Sequence, residues 1–386
     1  MKQYLSPIAA NLKPSGIRKF FDLASSMENV ISLGVGEPDF STPWVMREAA
    51  IFSLEQGQTM YTSNAGLIEL RRELSNYLAK HQGLNYNPEN EILITVGASE
   101  AVDLAMRALL APGDGVLIPD PSYVAYAGCA TLAGAEIHYI PLRAGNDFRL
   151  QVDDLRLAYT PNCKVLVLSY PNNPTGAIMT REDLLPIARF VSEHDLIVIS
   201  DEIYADLTYE GAHTPFATLP YMRNRTLHIS GFSKAYAMTG WRIGYVTGHP
   251  DLIQAMTRIH QYTIMCAPIM AQFAALEGLK NGESAKKSMI LEYDRRRRLM
   301  VHSFREMGLT CFEPLGAFYV FPNISATGLS SDEFAEQLLK EGRVAVAPGI
   351  AFGPAGEGHI RCSYAYSTEQ LKEALERIAR FVKKRL

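Results

Sequence analysis

The sequence predicts an α/β protein: a large domain with a mostly parallel sheet flanked by helices, plus a smaller α+β domain. Three observations carry this. Short apolar runs without strict alternation recur between amphipathic helical patterns through the middle of the chain, as expected of strands buried on both faces. From about residue 288 the pattern changes to one long amphipathic helix, short strands and a closing helix. With 386 residues the chain exceeds one small core, which favours two domains over one.

Taken in order, a helical pattern covers 66–81 (GLIELRRELSNYLAKH), followed by the apolar run EILITV at 91–96. Another helical pattern, SEAVDLAMRALL at 99–110, leads to the run GVLIPD. KVLVLSY (164–170) precedes a Pro/Asn/Gly turn and the helix-like REDLLPIARFVSEH. LIVISDEIY (196–204) and TLHISGFS (226–233) are further buried strands. Beyond them, SMILEYDRRRRLMVHSFREMG reads as the long helix, GAFYVFP and VAVAPG as short strands, and TEQLKEALERIARFVKKRL as the closing helix. The expected boundaries are 46–287 for the large domain, with 1–45 and 288–386 forming the small domain and an N-terminal arm.

Composition narrows the function classes. The net charge of −4 argues against nucleic acid or an anionic membrane as main partner. The run Arg295–Arg298 lies beside Glu292 and Asp294, so it is expected to be a solvated, ion-paired face. Five cysteines, widely separated and without C-x-x-C spacing, point to reduced thiols and a cytoplasmic location, with no metal site. Neither a signal-peptide core nor a window near the ~18 apolar residues of a membrane span is expected.

In open α/β sheets ligands bind at the carboxyl ends of strands, so the residues ending each apolar run are the ones to inspect. ILITV ends in Gly97-Ala98-Ser99 and opens a helix; Ser99 is equally readable as a ligand-binding side chain or as a helix N-cap. VLVLSYP ends in Asn172-Asn173-Pro174-Thr175-Gly176. LIVIS ends in Asp201-Glu202-Ile203-Tyr204, and TLHIS in Gly231-Phe232-Ser233-Lys234. No other charged residue lies within six positions before Lys234 or seven after it. An anion-binding helix start, an amide, a carboxylate with a phenol and an isolated amine along one sheet edge fit few ligands. Pyridoxal 5′-phosphate is one they fit. An amine condenses with its aldehyde, a carboxylate keeps its ring nitrogen protonated, and backbone N–H groups with Arg242 bind its phosphate. Neutral neighbours and a nearby cation would keep the lysine's pKa low enough for it to act as nucleophile and base.

The stretch Gly231-Phe-Ser-Lys-Ala-Tyr-Ala-Met-Thr-Gly-Trp-Arg-Ile-Gly244 resembles the lysine signature of class-I aminotransferases of fold type I. Asn173-Pro-Thr-Gly, Ser200-Asp-Glu-Ile-Tyr, Gly36-Glu-Pro-Asp-Phe and Ile360-Arg-Cys-Ser-Tyr-Ala are similar to the family's other hallmarks, in the same order. The likeness covers essentially the whole chain and is strongest to the prokaryotic-type subgroup with aromatic, alanine and aspartate aminotransferases. It implies a seven-stranded sheet, pyridoxal phosphate as cofactor, an amino acid and a 2-oxo acid as substrates, and a homodimer with shared active sites. It further implies that Lys234 forms the Schiff base, Asp201 meets the pyridine nitrogen, Asn173 and Tyr204 bond the ring 3′-oxygen, and Tyr123 stacks on the ring. Ala98, Ser99, Ser233 and Arg242 would hold the phosphate, with Tyr61 reaching it from the partner subunit. Arg361 would clamp the substrate α-carboxylate, helped by the Gly36 backbone and Asn173.

For the substrate side chain the sequence favours aromatic or other neutral amino acids, with broad specificity expected. Some acid-specific relatives carry a lysine where Ser99 stands, and Pro14-Ser-Gly-Ile-Arg-Lys-Phe-Phe21 resembles aromatic-using relatives, with Ile17 and Tyr61 lining an apolar pocket. Alanine, aspartate or N-acetyl-diaminopimelate aminotransferase activity, or a C–S β-lyase on the same cofactor, are the alternatives. A regulator that kept only the fold would need a lost lysine or an added DNA-binding segment.

Overall fold

The computed structural model describes residues 4–12, 16 and 27–386; Ile17, expected beside the substrate side chain, lies outside the described residues. A two-residue strand, β1 (Ile31–Ser32), comes first. β2 (Ile92–Thr95), β3 (Gly115–Asp120), β4 (Glu136–Pro141), β5 (Cys163–Ser169), β6 (Ile197–Asp201), β7 (Thr226–Gly231) and β8 (Gly244–Thr247) follow. The last seven form a single sheet in the order β2-β8-β7-β6-β5-β3-β4. β8 runs antiparallel to both neighbours, and the other pairs are parallel. The mostly parallel, seven-stranded sheet expected from the sequence is therefore present.

Alternate side chains of these strands enter two different cores, which is why the runs show no polar alternation. Leu117, Leu166, Leu168 and Val198 pack with Leu184, Ile187 and Val191 of helix Arg181–Glu193. Val116, Ile118, Val165, Val167, Ile199 and Ile229 face the opposite way, onto helices Gly97–Leu109 and Pro250–Thr263. Since each face is covered, both sets must be apolar. Helix ends follow local chemistry. Thr180 and Asp183 form a reciprocal capping box at the start of helix Arg181–Glu193. Helix Ile68–Gln82 stops at Gly83, whose φ of 67° a side chain would disfavour.

In the C-terminal part, helix Glu283–Glu306 precedes β9 (Tyr319–Val320), β10 (Val344–Ala345), β11 (Ala347–Pro348), β12 (Ile360–Ser363) and helix Thr368–Val382. β11, β12 and β9 make a small antiparallel sheet, while β1 pairs in parallel with β10. The segment at 31–32 thus lies with the C-terminal part of the chain. One core cluster runs across from Tyr204 and Phe232 to Tyr293, Phe318 and Phe334.

The arginine run departs from expectation. Arg295 and Arg298 are exposed partners of Glu292 and Asp294, but Arg296 and Arg297 are buried. Arg296 pairs with Asp39 at 2.8 Å, and Arg297 with Asp294, Glu313 and Glu210. A 3.6-residue period turns two of four consecutive side chains inward, and three carboxylates compensate the buried charge of Arg297. Among the described residues, no helix is long and apolar enough to cross a membrane.

Candidate active site

A cavity of about 710 Å³ lies at the carboxyl ends of β5, β6 and β7. Gly36, Ala98, Ser99, Tyr123, Asn173, Asp201, Tyr204, Ser233, Lys234, Arg242 and Arg361 all line it. Residues spread over more than 300 positions of sequence therefore share one space. Tyr61 does not line the cavity; it is 79% exposed on its own chain.

One end of the cavity is built for an anion. Helix Gly97–Leu109 starts directly after β2, and its N-cap, Val96, offers no side-chain oxygen to the first-turn N–H groups. Ser99 is the third helical residue, so the N-cap reading of it falls away. The guanidinium of Arg242 lies over the helix start, held by a 2.8 Å hydrogen bond to the Thr239 carbonyl. The φ of +78° at residue 97 favours glycine, and a Cβ there would come within 2.6 Å of Arg242 Nη2 and push the guanidinium from its place. Open backbone donors, a helix N-terminus and a fixed cation together favour a phosphate.

Asp201 ends β6 at the other side. Its Oδ2 accepts from the Tyr126 hydroxyl at 2.7 Å, and Oδ1 from the Ile203 N–H at 3.2 Å. Burial pushes its pKa up, against the Tyr126 hydrogen bond that favours the charged form. No ion pair reaches it among the described residues. A buried carboxylate of this kind suits a cationic ligand atom.

Between these ends lies Lys234. Its Nζ donates to the Gly36 carbonyl at 2.7 Å. Burial foremost, then the positive charge of Arg361, lowers its pKa from 10.5 to about 8, with Arg242 adding and Glu37 opposing. In cofactor-free protein, capture of an aldehyde by this amine should follow a pH midpoint near 8 rather than the ordinary 10.5. Mass-resolved borohydride trapping against pH measures it, and a midpoint above 10 would contradict the burial account.

Arg361, on β12, is 4% exposed. Its Nη1 donates to Asn173 Oδ1 at 2.7 Å and Nη2 to the Gly34 carbonyl at 2.5 Å. Its Nε is buried without a partner, and no carboxylate of the described residues pairs with it. The guanidinium sits 4.4 Å from the Tyr319 ring centroid and 4.7 Å from that of Phe352. A cation this deep with only neutral acceptors implies an anionic ligand. The Gly36 backbone, expected to help hold the substrate carboxylate, lines the same cavity, and its carbonyl accepts from Lys234.

Two cavity residues escaped the sequence reading. Tyr126 bonds Asp201 and also lies 2.9 Å from Ser169 Oγ, yet in PDPSYVAY it resembles any aromatic of a helix start. Tyr319 reads as core in GAFYVFP; its hydroxyl stands 2.8 Å from that of Tyr204.

An amine of lowered pKa, a buried acid lacking a cation, an anion cup and a buried unpaired arginine in one cavity define a pyridoxal-phosphate enzyme that acts on a carboxylate-bearing substrate. The family model "Aminotransferase class I and II" matches residues 28–378. A Bacillus subtilis (strain 168) chain named as an aminotransferase, YugH, is 54% identical over 384 residues, covering 100% of both chains. The aspartate aminotransferase of Pyrococcus abyssi (strain GE5 / Orsay) is 44% identical over 377 residues, with 97% of each chain covered. The crystal structure of the aromatic aminotransferase from Pyrococcus horikoshii OT3 superposes with a TM-score of 0.91 at 44% identity, covering 96% of this chain and 99% of that one. The chain belongs to the class I and II aminotransferases, and it is a pyridoxal-phosphate-dependent transferase of amino groups.

Proposed function

We propose that this aminotransferase takes aromatic or other neutral amino acids as donors and a 2-oxo acid such as 2-oxoglutarate as acceptor, in two alternating half-reactions. Pyridoxal phosphate, when bound, supplies the electron sink that allows the Cα–H bond of the substrate to break. Asp201 would meet its ring nitrogen, Asn173 and Tyr204 its ring oxygen, and Tyr123 its face. Ala98, Ser99, Ser233 and Arg242 would hold its phosphate. Arg361 would bind the substrate α-carboxylate through its planar fork, and Lys234, released on substrate binding, would take the proton from Cα at Nζ.

The observation that carries the donor class is the charge inventory of the cavity. Among the described residues the cations lining it are Lys234, Arg242 and Arg361, and each has a task already. No fourth cation among the described residues lines it for a side-chain carboxylate, whereas Val35, Val102, Val124 and Ile203 supply apolar wall. The relatives' names include aromatic, aspartate and N-acetyl-LL-diaminopimelate aminotransferases, so likeness alone does not choose. The second carboxylate of 2-oxoglutarate would have to be met by hydroxyl groups or from a partner subunit.

Exposed apolar side chains support a homodimer. Trp44 and Phe52 are more than half exposed, as are Met60, Tyr61 and Tyr262. Asn64 ties the segment after Tyr61 to the Met265 carbonyl, placing part of this apolar surface together. The exposure of Tyr61 suits its donation to a neighbouring subunit's phosphate site. Five free cysteines suit a cytoplasmic setting.

The test mixes cofactor-loaded enzyme with each amino acid in turn and follows loss of the visible band. Phenylalanine, tyrosine or another neutral donor should react at least tenfold faster than aspartate, a ratio matching one charge-assisted hydrogen bond of roughly 1.5–3 kcal/mol. The reverse order would overturn the donor class while leaving the family intact. In the same assay Arg361→Lys should raise KM by about 10²-fold, because an ammonium cannot reproduce the bidentate fork.

A further inference from the structure

We propose that Tyr319 is a positioning residue that fixes the direction of the single hydrogen on the Tyr204 hydroxyl, and acts on the cofactor through Tyr204. The inference rests on the aminotransferase reading, with Tyr204 at the cofactor's ring oxygen. The two hydroxyls lie 2.8 Å apart, and both side chains are buried, at 3% and 1% exposure. Each phenol has one hydrogen to give, so the pair can be satisfied in two ways. If Tyr204 donates to Tyr319, its hydrogen is spent inside the protein. If Tyr319 donates, the Tyr204 hydrogen is free to point into the cavity.

The surroundings of Tyr319 favour the second arrangement. Its ring lies beneath the Arg361 guanidinium, 4.4 Å from centroid to carbon. Burial pushes both phenols up; for Tyr319 the charge of Arg361 is the leading opposing influence, whereas for Tyr204 it ranks behind two contributions from Tyr319 that push further up. The cation over its ring favours Tyr319 as the donor of the pair. Its hydroxyl also fills the place where a Cβ of residue 36 would stand, so the Gly36 backbone closes against it. Tyr204 is kept in line by edge-on contact with Phe318, with ring centroids 5.4 Å apart. A hydroxyl that accepts one hydrogen bond donates a stronger one. The substrate clamp, through Arg361 and Tyr319, is thereby linked to the cofactor's ring oxygen.

The test is a pH titration of the visible band in the cofactor-loaded enzyme. A donor to the ring oxygen favours the deprotonated, anionic form of the bound chromophore, so weakening that donor raises the midpoint. Tyr319→Phe, which keeps the ring under Arg361, should raise it by about half a pH unit, roughly threefold in proton affinity. Tyr204→Phe should raise it further, and the double variant should match Tyr204→Phe alone. Fluorotyrosine at 319, a stronger donor of the same shape, should lower the midpoint, a two-way response that a purely structural role cannot give. It also decides the matter if the Phe variant does not fold. A midpoint unmoved by either change at 319, or an additive double variant, overturns the inference alone. A wild-type protein lacking the band would overturn the reading it rests on as well.

Discussion

Lys234→Ala lowers the rate of amino-group transfer by about 10⁴-fold or more, because it removes the general base and the covalent anchor together. The folded protein should hardly notice. Among the described residues the amine makes one hydrogen bond, to the Gly36 carbonyl, and burial already penalises its charged form. Removing it relieves that penalty and leaves a space continuous with the cavity, so the melting temperature should stay within a few degrees of wild type. The phosphate cup around Gly97 and Arg242 is untouched. Cofactor should therefore still bind, but wash out on gel filtration and leave no covalent adduct after borohydride reduction. Steady-state turnover, thermal melting and mass spectrometry check the three parts. A variant that kept a tenth of wild-type turnover would remove Lys234 from the chemistry.

The parallel strands were legible because both faces of the sheet are covered. KVLVLSY and LIVIS have no polar side, and β5 and β6 fall within a residue or two of those runs. β4 carries no such signal, for the opposite reason. It lies at the edge of the sheet, Glu136 and Tyr139 are exposed, and EIHYIP lacks the continuous apolar signal. Lys234, Asp201 and Asn173 were legible because a polar residue ending a buried strand has few structural excuses. Tyr126 and Tyr319 were not, since an aromatic among apolar neighbours looks like packing, and their hydroxyl partners, Asp201 and Tyr204, lie 75 and 115 positions away. The inward turn of Arg296 and Arg297 was hidden in the same way: Asp39 is 257 positions from Arg296, and Glu210 is 87 from Arg297. A side chain's own surroundings are read from sequence only when its partners are near in the chain.

Asp201→Asn separates what holds the fold from what serves the reaction. In the free protein the carboxylate is a burden: burial raises its folded-state pKa above the unfolded value of 3.8. For an acid raised in this way, stability falls as pH rises from the unfolded pKa through the folded one, and the loss persists at neutral pH. Asparagine keeps the shape and sheds the charge: its oxygen can accept from the Ile203 N–H while its amide N–H donates to the Tyr126 oxygen, whose hydrogen can go to Ser169 Oγ. Cofactor-free Asp201→Asn should therefore melt at or above wild type at pH 7, and its advantage should vanish at about pH 3, where both side chains are neutral in the unfolded chain. Activity should move the other way. Breaking a buried ion pair costs about 3–5 kcal/mol, which corresponds to roughly 10²–10⁴ in kcat/KM if the missing cation is the cofactor's ring nitrogen. A purely structural aspartate would cost stability and leave the chemistry of the folded enzyme in place, so a variant that melts lower in the cofactor-free state and keeps most of its kcat/KM would remove Asp201 from the cofactor and return it to the scaffold.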